Sequence, residues 1–387
     1  MPGARRDWVA AALHACVLEH DWTKPPASLA SLVTGRDLQP LVERASHHGV
    51  ANLLYLSLRG IDGVDRPSLE KLERNYQEGV RHHLLVLGEL SALGEALDDA
   101  AIPWIVFKGP VLSTLVYPRP DLRFYNDVDV MVPRAEFAAA VQALERRGFA
   151  VLDRNWELLL RLEAGQLHVG LGHDVLADLH WHPLNRNSVR RSFAISPGEL
   201  FGRARAAALG SLKIRRLDPV DGLLHLCVHA GLSGGVRLLW LKDIERTIAR
   251  EAPDWRRVVE RAGAWRAEVL VAGMLQRARR TVGARVPDEV LEELAPSRAG
   301  RAVDSLFDRI WPPESSHLLG SPSASWMRYR RRRLVASLAA FAGRVRVGLW
   351  WRRARSISDD EDAFPAFVPS GDASTRSAFF ELVTGDG

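Results

Sequence analysis

Apolar positions in the first hundred residues recur at helical spacing. Val9, Leu13, Cys16 and Val17 form one face, and Leu41 to Leu58 repeats the pattern. A longer helix is predicted from Ser68 to Asp98, with Leu84, Leu85, Leu87, Leu90 and Leu93 turned towards a core. The period then changes. Trp104–Phe107 is an apolar run of strand length, Val128–Val132 alternates with acids, and Ala135–Arg147 returns to helix, closed by Gly148. Two further strands are predicted at Leu167–Leu171 and Val175–Trp181, joined by a hairpin-like turn at Gly172-His173-Asp174. After Pro219 the pattern is helical again over Val220–Ala230, Val236–Ala249, Trp255–Ala262 and Trp265–Val282. From about Asp359 the chain is acidic and rich in small and turn-forming residues, which predicts a loose tail.

These elements predict an α+β fold: a small mixed β-sheet core flanked by N- and C-terminal helical regions. The divisions fall at residues 1–100 (helical), 101–185 (α/β core), 186–310 (helical) and 311–387 (a basic segment and the acidic, flexible tail). With 387 residues, 47% apolar and 26% charged, the chain has the make-up of a globular protein rather than a collagen-like, disordered or disulfide-scaffold one. No stretch approaches 18 uninterrupted apolar residues, so no transmembrane helix is expected. Cys16 and Cys227 both sit in apolar helical patterns, which predicts buried thiols in a reducing compartment. The apolar stretch Trp8–Leu18 lacks a small-residue cleavage site after it, and a cytoplasmic location is expected.

Charge divides the chain. Ten arginines and no acid lie between Trp326 and Arg355, so a chain with net charge +5 carries −5 outside that segment. Residues 326–355 are open to three readings: contact with nucleic acid, contact with an anionic membrane, or cover for the acidic body.

The chemistry concentrates in WIVFKGPVLSTLVYPRPDLRFYNDVDVMV, residues 104–132. A strand ends at Lys108-Gly109 and a helix starts at Pro110; free N–H groups at such a start, with a glycine allowing close approach, make a phosphate site. Asp127 and Asp129, two apart on a strand, point the same way. Their carboxylates repel unless a cation lies between them, and Mg²⁺ takes such oxygens together with substrate phosphates. Asp178 supplies a third carboxylate on a later strand, enough for two metal ions, and His180 and His182 are expected on its face.

A helix-initiating glycine turn, then Asp-Val-Asp, then a third Asp resembles the nucleotidyltransferase (polymerase-beta-like) superfamily. More narrowly, the chain is similar to the bacterial family described only as uncharacterised nucleotidyltransferases. The likeness rests on Lys108-Gly109, Tyr117-Pro118, Arg123, Asp127 to Val132, Gly148-Phe149 and Asp178-Leu179-His180-Trp181. Downstream it continues through His225, His229 and Trp240 to Ile244, covering roughly residues 70–280.

The resemblance implies transfer of a nucleoside monophosphate from an NTP, ATP foremost, to an unknown acceptor with release of pyrophosphate. Asp127 and Asp129 would ligate both metal ions (Mg²⁺, or Mn²⁺ in its place), and Asp178 would ligate one and help deprotonate the acceptor. Lys108 and Arg123 would neutralise phosphate. Where many superfamily members have Gly-Ser, this chain has Gly109-Pro110, so phosphate contact rests on backbone groups, Lys108 and Ser113.

Each feature also has a plainer reading. Arg123 could pair with Asp121 or Glu136; His225 and His229 could line a cleft or a helix contact; Trp181 and Trp240 are expected in the core. Asp243 could lie near the nucleotide or form a surface salt bridge. His180 is expected at the nucleotide site. Two rival functions remain: a phosphotransferase on the same site, and a catalytically silent protein that binds a nucleotide or a partner.

Overall fold

The computed structural model describes residues 7–18, 22, 24–295, 297–315, 321–330, 338 and 366–385. At its centre is a seven-stranded mixed sheet. Its strands are β1 (Ile105–Phe107), β2 (Asp127–Met131), β3 (Ala150–Val151), β4 (Gln166–Gly170), β5 (Leu176–His180), β6 (Arg205–Leu209) and β7 (Leu212–Arg216). Across the sheet they run β3-β4-β5-β2-β1-β7-β6. The fold is α+β, as expected.

Strand β2 lies between antiparallel β1 and parallel β5, so Asp129 has Phe107 beside it on one side and Asp178 on the other. Alternation along β2 does the sorting. Val128 and Val130 are fully buried with Val106, Ala177 and Leu179 against the second half of the helix Arg66–Asp99 and the helix Phe137–Arg146. The opposite face carries the acids, and there Ile105, Phe107 and Met131 join a core built from the N-terminal helices and the helices after Pro219. The long helix serves both cores, with Leu72 in one and Val86, Leu90, Leu93 and Leu97 in the other. Side chains cap the helix starts: Asp65 accepts from the Ser68 N–H, Asp218 from Val220, and Asp254 from Arg256 and Arg257.

Several expectations change. The stretch from Leu41 to Leu58 is two helices, Gln39–His48 and Ala51–Leu58, broken at Gly49 with φ of +72°. Leu84 is 64% exposed, on the outer side of its helix. The hairpin β6–β7 lies in the span expected to be helical and extends the sheet beyond residue 185. Part of the expected loose tail is ordered as well. The helix Ala373–Thr384 packs against the core, with Phe379 and Val383 buried, Arg376 bonded to Glu145, and Arg134 donating to the Leu382 and Val383 carbonyls.

Both cysteines are free and buried, and burial pushes the Cys16 thiol up to about 12. Of the ten arginines, Arg328 donates to the Ser233 carbonyl and Arg330 pairs with buried Asp304. The other eight, and with them the choice among nucleic acid, an anionic membrane and the acidic body as their partner, fall outside the described residues. Among the described residues no helix is long and apolar enough to cross a membrane.

Candidate active site

The chain leaves β1 through a strained turn. Lys108 has φ of +58° and Gly109 +28°, and the first helical turn follows at once over Gly109–Val111. A methyl group on Gly109 would lie 3.0 Å from the Asp127 carbonyl oxygen, so the turn presses its backbone against the start of β2. The turn and the acid-bearing strand are thereby one unit.

The parallel register of β2 and β5 sets Asp129 directly opposite Asp178. Ligand atoms of Asp129, Asp178 and His180 all lie within 4.8 Å of one another, a grouping able to hold a metal ion. Asp129 is 2% exposed; Lys108 Nζ is 2.6 Å from its Oδ1 and His180 Nε2 is 3.2 Å from the same oxygen. Burial alone would raise the Asp129 pKa, but Lys108 and His180 outweigh it and hold the carboxyl well below its ordinary range. Burial also opposes the Lys108 charge; Asp129, Asp127 and Asp178 reverse that and raise it. At Asp178 burial dominates: with the like charges of Asp129 and Asp127 it outweighs the opposing pull of His180 and His168 and lifts the pKa to about 6. Asp127 is exposed at the rim, where removal from solvent by the surrounding walls and the like charge of Asp129 raise its pKa.

Beside Asp178 is a constellation that the sequence reading missed. Gln166 Nε2 donates to Asp178 Oδ2 at 2.8 Å, and His168 Nε2 lies 3.6 Å from Oδ1. His168 Nδ1 is 2.9 Å from the buried carboxylate of Asp153, which also accepts the His168 backbone N–H. Phe367 packs edge-on against the His168 ring.

A cleft of about 400 Å³ opens in front of the acids. Its walls come from three parts of the chain: Asn52 and the end of the helix Gln39–His48, the core turn with Asp127 and Asp129, and Arg237, Trp240 and Asp243 from the C-terminal helices.

The family of uncharacterised nucleotidyltransferases matches residues 34–283. The chain belongs to that family. Its general role is therefore nucleotidyl transfer, and an NTP is its implied substrate. The match takes in all seven strands and the three walls of the cleft, and ends well before the helix Ala373–Thr384. No curated protein matches the chain.

Several of the residues predicted for this nucleotidyltransferase site are brought together, and others are not. Lys108, Gly109, Arg123, Asp127 and Asp129 line the cleft. Asp178 and His180 stand behind it on β5, joined to it through Asp129. Arg123 pairs with neither Asp121 nor Glu136. Its guanidinium is locked bidentately on buried Asp243, at 2.8 and 3.0 Å, and it also donates to the Gly109 carbonyl. Asp243 accepts the Tyr117 hydroxyl as well, so it is an interior bridge rather than a surface one.

Ser113 is fully buried, 3.4 Å from His83 Nδ1, and does not line the cleft. His182 lies past the end of β5, where its ring accepts the Leu184 N–H, so it does not share the face of Asp178. His225 and His229 stack on one helix, and burial depresses both, His229 to about 3. Trp181 is buried, whereas Trp240 is half-buried in the cleft wall under the guanidinium of Arg237.

Proposed function

We propose that this chain is a cytoplasmic, divalent-metal-dependent nucleotidyltransferase that moves NMP from an NTP, ATP foremost, onto a hydroxyl of a small-molecule, peptide, protein or tRNA acceptor. The new bond joins the acceptor oxygen to the α-phosphorus; the bond from that phosphorus to pyrophosphate breaks, and the acceptor proton passes to the protein. The observation that carries this reading is the β2–β5 register, which aligns Asp129 with Asp178 behind Asp127 and the Gly109 turn at one mouth of one cleft.

The residues fit a divalent cation. The donor atoms of Asp129, Asp178 and His180 are close enough to share one, and burial together with the like charge of Asp129 raises the pKa values of Asp178 and Asp127, a cost that a bound cation would offset. Asp127, Asp129 and Asp178 would hold Mg²⁺ or Mn²⁺, both suited to carboxylate oxygens. Such a cation, when bound, neutralises phosphate charge and steadies the leaving pyrophosphate. The chain's own groups do the rest. Gly109 lets a phosphate approach the backbone at the helix start. Asp178, its Oδ2 held by Gln166, accepts the acceptor proton. Lys108 keeps Asp129 ionised throughout.

The test uses full-length protein, Mg²⁺ and each NTP labelled at the α- or γ-phosphate, incubated with a lysate of the source cell. Label retained from the α-position supports nucleotidyl transfer. Label retained from γ alone makes the protein a phosphotransferase, and nucleotide binding without label transfer makes it a silent binder. Because Asp127 is exposed, Asp127→Asn is expected to abolish metal-dependent turnover without lowering the melting temperature; full activity in that variant would sink the assignment.

A further inference from the structure

Among the described residues three cations line the cleft, and two are already committed. Lys108 Nζ sits 2.6 Å from Asp129, and Arg123 is locked on Asp243 by two bonds. Neither can turn fully to a polyphosphate without leaving a buried carboxylate short of its partner, which is strongly unfavourable. A triphosphate entering this cleft needs another cation.

Arg237 is placed to be that cation. It lines the same cleft, and among the described residues it has no carboxylate partner. Its Nε donates to the His47 carbonyl at 2.9 Å, and its guanidinium carbon lies 5.5 Å from the centre of the Trp240 ring. Those two contacts fix the plane of the fork. Nη1 and Nη2 carry no partner among the described residues, which leaves two parallel donors available, the arrangement that suits a phosphate better than a lysine point charge does. The guanidinium is half-buried, and burial without a counter-ion depresses its pKa. A desolvated, pinned and uncompensated cation has little mobility left to lose on taking an anion.

We infer that Arg237, held by His47 and Trp240, is the residue that grips the polyphosphate of the nucleotide. This inference rests on the nucleotidyltransferase reading of the cleft. It moves the phosphate-binding role from Lys108 and Arg123, to which the resemblance pointed, to a residue on the wall that the C-terminal helices supply.

The test is calorimetric titration of the full chain with each of the four NTPs in the presence of Mg²⁺, and separately with inorganic pyrophosphate. Arg237→Gln is expected to weaken NTP and pyrophosphate binding at least tenfold while melting within a few degrees of wild type. Arg237→Lys, which keeps the charge and loses the fork, should fall between the two. Unchanged affinity in Arg237→Gln overturns the inference and leaves the nucleotidyltransferase reading standing. Wild-type protein that binds no NTP and no pyrophosphate overturns both.

Discussion

Asp129 and Asp178 stand opposite each other on neighbouring strands, yet their surroundings drive them apart. Lys108 and His180 keep Asp129 ionised to low pH, whereas Asp178 is lifted from 3.8 to about 6 by burial and by Asp129 itself. The folded, metal-free protein therefore keeps a proton on Asp178 that the unfolded chain releases near pH 4. Stability on this account is fully present below about pH 4 and declines as the pH rises through 6. Asp129 acts in the opposite sense only at lower pH, where its depressed carboxyl finally takes a proton. Replacing Asp178 by Asn removes the penalty. Metal-free Asp178→Asn is expected to be more stable than wild type at pH 7 by about 1–3 kcal/mol, with the difference vanishing near pH 4. Mg²⁺ should raise the melting temperature of wild type and not that of the variant. Thermal melts across this pH range, with and without Mg²⁺, decide it; a variant less stable than wild type at pH 7 would show that Asp178 is not paying a charge penalty.

At the scale of elements, the acids were legible because two-residue spacing on a strand needs no tertiary information. The partners of Asp178 were harder to see. Gln166 and His168 reach it only through the register of β4 and β5, which pairs His168 with Asp178. A signal was present: counting outward equally from the tight turn at 172–174 arrives at that pair. The hairpin β6–β7 was hidden for a different reason. Its arginines find acids from other elements, Arg205 on Asp218 and Arg216 on Glu251, so an edge hairpin reads locally as a polar stretch. The β4–β5 register also makes a prediction. Asp153 fixes the His168 ring, and the ring abuts a carboxylate oxygen of Asp178, so His168 is a positioning residue. His168→Ala is expected to lower activity by about 10–100-fold and to raise the Mg²⁺ concentration needed for half-maximal rate. Equal loss at all Mg²⁺ concentrations, or none, would count against that role.

Over the whole molecule, the helical flanks were legible from periodicity, but the contacts that fasten them to the sheet were not. Local spacing carries no trace of a bond between residues 123 and 243. In the structure that bond ties the loop before β2 to the helix Leu238–Glu251 and closes one wall of the cleft. Both partners are almost fully buried, and Tyr117 donates to the same carboxylate. A buried ion pair is a poor source of net stability, since each charge has lost its water; removing one partner is nonetheless severe, because the other is stranded. Asp243→Asn leaves the Arg123 guanidinium without a counter-ion and is expected to cost about 3–5 kcal/mol in urea unfolding. The double variant Arg123→Met, Asp243→Leu strands no charge and should recover much of that loss, although it also alters the cleft beside Gly109. The two results together separate a fastening from a surface bridge. A surface pair would give Asp243→Asn a loss under about 1 kcal/mol and leave the double variant nothing to recover.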